Sequence, residues 1–273
     1  MTIPRVLPPI ACDIDRPKID TSREIISGAV DEFRQYIRIT NNEELLPEAH
    51  FSLANAYEQV GNTQQAISSY RTIVENFSNS EQLGSALAAL GRIHYDQGQY
   101  QNAYEYYNRL REERQDFALE ALTGMGRAQL AMNNIEQARK HYEAALEANN
   151  DHDPAHVGLG KVALQNGNYT EARDYFNLVA ESNTTEIGAE AQYLLGETYQ
   201  QQQNFKQAID AYSNVSVLYE AFDEWVAQSM LRRAECHIQL GNTGEARSLL
   251  NSLVESYPDL PEAKKAQQML QSN

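Results

Sequence analysis

The sequence predicts an all-α solenoid of stacked antiparallel helix pairs, and three observations predict it. One residue pattern recurs six times at intervals of 34 to 38 residues, centred on Ala66, Ala103, Ala138, Ala172, Ala208 and Ala246. A small residue (Ala54, Gly91, Gly126, Gly160, Gly196 or Ala234) stands twelve positions before each of these alanines, and Tyr70, Tyr107, Tyr142, Phe176, Tyr212 or Leu250 stands four after it. Within a period, apolar residues fall at helical spacing on both sides of a turn. Units of this length cannot bury their apolar faces alone, so they stack on one another instead of closing around a catalytic core.

Taken in chain order, residues 1–20 carry Pro4, Pro8, Pro9 and Pro17 and little periodicity, which predicts a flexible leader. Pro9-Ile10-Ala11-Cys12 echoes a lipoprotein cleavage site but lacks the preceding hydrophobic segment. Thr21-Ser22-Arg23-Glu24 reads as a capping box opening a helix, with Ile25, Ile26, Ala29, Val30, Phe33 and Ile37 on one face. Residues 21–46 are therefore expected to form a half repeat that caps the stack.

Six units follow, over residues 47–80, 84–117, 119–152, 153–186, 189–222 and 227–260. In the second, Leu87, Leu90, Ile93 and His94 mark helix A, which stops at Gly98, and Ala103, Tyr107 and Leu110 mark the apolar face of helix B. Gly91 and Ala103 are small because two helices joined by a short turn approach closely only where no bulky side chain intervenes. The longer spacings, around Ser78-Asn79-Ser80 and around Glu220 to Glu224, are expected to lengthen helix B or its exit loop. Pro261 then opens a polar helix with Ala263, Ala266, Met269 and Leu270 on one face, which makes residues 261–273 a capping helix and tail.

This pattern resembles the tetratricopeptide repeat (TPR). The first unit shows it in Leu53-Ala54, Tyr57, Gly61, Ala66 and Tyr70, the fourth in Leu159-Gly160, Gly167, Tyr169, Ala172 and Phe176, and the fifth in Leu195-Gly196, Tyr199, Phe205, Ala208 and Tyr212. The resemblance covers roughly residues 47–260 and implies a right-handed superhelix. At the fourth position, where the family places a large aromatic, stand His50, Leu87, Leu122, His156, Gln192 and Met230, which predicts less uniform packing.

The formal net charge of -16 disfavours a phosphate backbone or an anionic membrane surface as partner. Without a stretch of about 20 apolar residues, no membrane-crossing helix is expected. The leader lacks the apolar run of a signal peptide, so a cytoplasmic location is the expectation, with a periplasmic or lipid-anchored protein as the alternative. Four of the six histidines, His50, His94, His156 and His237, occupy positions where the family packs large residues. Asp151-His152-Asp153-Pro154-Ala155-His156 concentrates oxygen and imidazole donors, yet it also spells an acidic turn between units. With no phosphate loop, nucleophile elbow or zinc-protease helix, neither catalytic residues nor a metal or cofactor is expected, and a metal-dependent enzyme is the remote alternative.

The resemblance also implies a concave groove lined by the A helices. One groove position, read along the chain, gives Asn55, Arg92, Arg127, Lys161, Glu197 and Glu235, three cations followed by two anions. Tyr95 lies about one turn beyond Arg92. The cations would hold the acidic part of an extended or helical segment of another protein, and the glutamates its basic end. Alternatively the row is a solvated face whose charges pair with Glu48, Glu58, Asp96, Glu120 and Glu190. Asn55 matches one element of the carboxylate clamp found in family members that bind chaperone tails, but Phe51 and Ala89 replace its other elements. Tyr104, Tyr106, Tyr175 and Tyr193 lie off the packing position and are expected to add exposed contact area. The expected role is a protein-binding scaffold or adaptor. The alternative is self-assembly, or assembly into an envelope complex, through repeat edges and ends.

Overall fold

The computed structural model describes residues 21–272 apart from residue 41. The leader and Cys12 lie outside the described residues, as do the side chains of the capping box at residues 21–24. Among the described residues the fold is an all-α solenoid of consecutively packed helices, without a strand. The helices are α1 (Thr21–Ile39), α2 (Leu46–Gln59), α3 (Thr63–Asn76), α4 (Gln82–Asp96), α5 (Tyr100–Glu113), α6 (Ala118–Ala131) and α7 (Ile135–Ala148). The remainder are α8 (Asp153–Gln165), α9 (Tyr169–Ser182), α10 (Glu186–Gln201), α11 (Phe205–Leu218), α12 (Asp223–Gln239), α13 (Thr243–Ser256) and α14 (Pro261–Ser272). The chain forms two compact units, with the boundary between Ile93 and His94 inside α4.

In the first unit α2 packs between α1 and α3. Val30 of α1 is buried, as are Leu53, Ala54 and Tyr57 of α2 and Ala66, Tyr70, Ile73 and Val74 of α3. In the second unit every helix from α5 to α14 packs on the next, and the A helices also touch in series, α6 on α8, α8 on α10, α10 on α12 and α12 on α14. The alanine and aromatic positions are the centre of this packing. Ala103, Ala138, Ala172 and Ala208 are fully buried, with Tyr107, Tyr142, Phe176 and Tyr212 beside them. At the C-terminal end Ala263 and Ala266 of α14 are buried, while Met269 and Leu270 pack against the cluster around Leu250 and Leu253.

The turns between A and B helices share one geometry. Gly61 N–H donates to the Glu58 carbonyl at 2.9 Å, and Asn62 N–H reaches the Tyr57 carbonyl at 2.8 Å. This is a Schellman ending, which needs a left-handed residue where Gly61 sits at φ 80°. Gly98, Gly167 and Gly241 serve the later turns, but Asn133 and Gln203 hold the same conformation with side chains, at φ 63° and 61°. The B helices α3, α5, α7, α9, α11 and α13 are all 14 residues long.

That constancy corrects one expectation about the long spacings. The first insertion does lengthen an exit loop, residues 77–81 between α3 and α4. The second does not lengthen α11 and goes largely into α12, an A helix of 17 residues. Tyr219, in the short loop before α12, is buried and donates its hydroxyl to the carbonyls of Ala180 (2.8 Å) and Asn183 (3.1 Å) at the end of α9. Those bonds satisfy carbonyls that a helix end otherwise leaves open.

Candidate protein-interaction site

The A helices present the predicted row, and each unit arranges its own part. In the first unit, Asn55 accepts from the Tyr70 hydroxyl at 2.5 Å. The same hydroxyl lies 2.7 Å from a Glu58 carboxylate oxygen, so its one proton is shared between the two acceptors, and Glu58 in turn forms an ion pair with Arg92. Burial and the Glu58 carboxylate push the Tyr70 phenol well above its ordinary range. Asn55, Glu58, Tyr70 and Arg92 thus make one connected network between α2, α3 and α4. Glu48 instead accepts from Gln82 at 3.3 Å.

In the second unit the row has Arg127 on α6, Lys161 on α8, Glu197 on α10 and Glu235 on α12, with Tyr95 at the end of α4. Arg127 lies over the Tyr95 ring at 4.5 Å, within cation–π range. Among the described residues Arg127 has no carboxylate partner. Lys161 forms an ion pair with Glu190 of α10, which neutralises it locally. Glu197 accepts from Gln201 at 3.3 Å within its own helix. Glu235 pairs with Arg232 at 2.9 Å, and the same guanidinium donates to the Tyr193 hydroxyl at 3.1 Å. The structure therefore brings Tyr95 and Arg127 together, links Lys161 and Glu235 to other residues, and leaves Glu197 with a single neutral partner.

Arg232 of α12 also stands on an A helix, beside Glu235. It occupies another of the positions that the family turns to the groove. Tyr193 also departs from expectation: it is buried, at 5.4 Å from the Tyr212 ring and 5.5 Å from Trp225. Tyr104, Tyr106 and Tyr175 are half-buried. Burial raises the Glu120 carboxyl above its ordinary value.

Tyr142 of α7 differs from its counterparts. Its ring is clamped between the backbones of α6 and α8: a Cβ on Gly126 would lie 2.7 Å from its Cε1, and one on Gly158 would lie 2.3 Å from the same atom. Its hydroxyl is buried and has no hydrogen-bond partner among the described residues. Tyr212, by comparison, donates to Gln200 at 2.8 Å.

The histidines and acids of residues 151–156 do not converge. His156 Nε2 bonds the Asn150 carbonyl at 2.8 Å, and Asp153 accepts from Asn183 at 2.6 Å. Among the described residues no group of three or more His, Cys, Asp or Glu side chains could hold a metal ion. His94 and His156 are buried, and His94 stacks on Tyr106 at 5.2 Å. Gln192, at a position where the family packs an aromatic, is buried and donates to the Ala211 carbonyl at 2.9 Å. Among the described residues no helix is long and apolar enough to cross a membrane.

Stacked helix pairs with a polar row along their A helices define a helical-repeat protein. One tetratricopeptide repeat model matches residues 51–116 and 123–187, and a second such model matches 189–259; the chain belongs to the tetratricopeptide repeat family. A tetratricopeptide repeat protein from Parabacteroides merdae aligns over 93% of this chain and 94% of its own, with a TM-score of 0.73 and 18% identity. PilW, a type IV pilus biogenesis factor, aligns over 83% of this chain and 99% of its own, with a TM-score of 0.61 and 17% identity. Yeast Tom70 aligns over 94% of this chain and 60% of its own, with a TM-score of 0.59 and 14% identity. These likenesses are of fold. No curated protein matches the chain in sequence. The family fold supports a protein-interaction scaffold in general.

Proposed function

We propose that this chain is a non-catalytic scaffold that binds an extended or helical segment of another protein along its A helices. The observation that carries this reading is Arg127, an exposed guanidinium on the A-helix row held by the Tyr95 ring instead of by an acid. A cation so placed is available to a partner's carboxylate, and the ring under it keeps it oriented. Around it the Lys161–Glu190 and Arg232–Glu235 pairs offer both signs of charge, which favours register and selectivity over raw affinity. In the first unit the Asn55–Tyr70–Glu58–Arg92 network offers a polar surface of similar make-up.

The test is affinity recovery of partners, quantified by mass spectrometry, with the wild type and the Arg127→Glu, Lys161→Glu double variant. The reading predicts that a partner bound by the wild type is lost from the double variant; reversing exposed Arg127 changes thermal unfolding little, whereas reversing half-buried Lys161 sets a second carboxylate against Glu190 and lowers it, so circular dichroism at the binding temperature checks that the variant is folded. Equal recovery by both proteins would overturn it.

A second reading, self-assembly through the B helices, is favoured by exposed apolar side chains at Leu178 of α9 and at Val217 and Leu218 of α11. Light scattering separates the two. A mass that rises with concentration, and falls back to the monomer in Val217→Ser, Leu218→Ser, supports self-assembly; a constant monomer mass removes it.

A further inference from the structure

We propose that the Arg127 guanidinium and the Tyr142 hydroxyl together form a subsite for one carboxylate of a bound peptide. This rests on the reading that the A helices bind a partner segment, and it names one group that segment must carry.

The tyrosines that follow the repeat alanines aim their hydroxyls at the paired A helix. Tyr70 places its hydroxyl against Asn55 and Glu58, one and four positions after the small residue Ala54, and Tyr212 sends its own to Gln200, four positions after Gly196. In the α6–α7 pair the residue four positions after Gly126 is Leu130, which has no acceptor. Tyr142 keeps the hydroxyl and loses its partner. A buried donor without an acceptor is costly, and such groups are rare unless something else completes them.

The clamp fixes where this donor lies. Would-be Cβ atoms on Gly126 and on Gly158 both crowd Cζ, the carbon that bears the hydroxyl, at 2.8 and 2.4 Å. The hydroxyl end therefore lies by the backbones of α6 and α8, and Arg127 occupies the repeat position from which Asn55 meets the Tyr70 hydroxyl in the first unit. Burial pushes this phenol well above its ordinary range, and the Arg127 charge opposes that rise.

The neighbouring charges select an anion. Lys161 and Glu190 neutralise each other, and Arg232 and Glu235 do the same further along. Among the described residues Arg127 has no carboxylate partner. A carboxylate beside it accepts from the guanidinium through one oxygen and from the Tyr142 hydroxyl through the other, which uses both orphan donors at once. The hydroxyl is closed off from solvent in the free protein, so a groove side chain must swing aside on binding.

The carboxylate can be an acidic side chain or a chain terminus, and fluorescence anisotropy with three labelled peptides separates them. The probes are an alternating Glu-Ala dodecapeptide amide, an alternating Gln-Ala dodecapeptide with a free C-terminus, and the Gln-Ala amide as neutral control. The wild type should bind one carboxylate probe in preference to the control; the Glu-Ala amide points to side chains and the free terminus to chain ends. Tyr142→Phe removes only the hydroxyl and should weaken that probe about tenfold, the scale of one hydrogen bond to a charged group, with no loss of thermal stability. Leu130→Gln supplies the acceptor that Gln200 gives Tyr212, and should weaken the probe by occupying the donor.

Weakening in either variant supports the subsite. Unchanged binding in both, with loss in Arg127→Glu, Lys161→Glu, overturns the subsite and leaves the scaffold reading intact. A wild type that prefers neither carboxylate probe also overturns the subsite, while the scaffold reading stands or falls on the recovery experiment.

Discussion

Replacing Gly158 by alanine tests the packing that sets the A helices at their observed separation. Mid-helix, alanine is favoured over glycine by about 1 kcal/mol, so propensity alone predicts a more stable protein. Packing predicts the opposite. The added Cβ would stand 2.3 Å from Cε1, 2.4 Å from Cζ and 2.5 Å from Cδ1 of Tyr142. Carbon atoms rest at about 3.5–4.0 Å, so the ring or a helix must move by more than about 1 Å. The ring has little room to retreat, because Gly126 crowds it too, with its own would-be Cβ 2.7 Å from the same Cε1. Overpacking of this kind costs about 1–3 kcal/mol, and a clash with a ring held by backbone on both helices belongs at or above the upper end. The net expectation is a loss of about 2 kcal/mol, or about 4–8 °C in Tm for a domain of this size. Urea unfolding followed by circular dichroism measures it. In a double-mutant cycle, Tyr142→Leu should relieve the clash and return a coupling of about 1 kcal/mol or more. A Gly158→Ala protein as stable as the wild type, or more so, would refute the close-approach argument.

Three further outcomes follow from the same structure. Gln203→Gly should stabilise the protein by about 1 kcal/mol, since Gln203 holds a left-handed turn at φ 61°, and Asn133→Gly should give less because asparagine tolerates that region; equal or lower urea midpoints would count against the turn geometry. Gly188→Ala should destabilise, because its Cβ would stand 2.0 Å from the Asn183 carbonyl oxygen and 3.0 Å from Tyr219, and an unchanged Tm would contradict this. Burial lowers the imidazoles of His50, His141 and His152 below their ordinary value of about 6.5. The unfolded chain therefore takes up protons first as pH falls, so this contribution is fully present above pH ~6.5 and declines below it. Unfolding free energies at pH 7.5 and 5.5 should fall less in His141→Gln than in the wild type, and an equal fall would remove the assignment.

The alanine and aromatic positions were legible because their constraint is local and periodic: each alanine lies where two helices touch, and each aromatic fills the space beside it. Charge pairing was only partly legible. Glu58 and Glu190 do pair with row cations, whereas Glu48 bonds Gln82, and such partners are set by a stacking register that a period specifies only to within a turn. Tyr193 looked exposed because its own helix gave it no packing role. Trp225, on the extended start of α12, covers it, and the direction of that extension is a tertiary choice. The unpartnered Tyr142 hydroxyl was readable in principle, since Leu130 stands where Glu58 and Gln200 stand in other repeats. Its meaning required knowing that the phenol at this position reaches the facing A helix.

The most direct test of the central claim places a photo-crosslinking amino acid at Glu197 on the A helix α10 or at Asp210, exposed on the B helix α11, and identifies the products by mass spectrometry. A partner-binding A-helix surface predicts that the Glu197 position captures a partner protein which the Asp210 position does not. Capture from Asp210 alone, or equally from both, would contradict it.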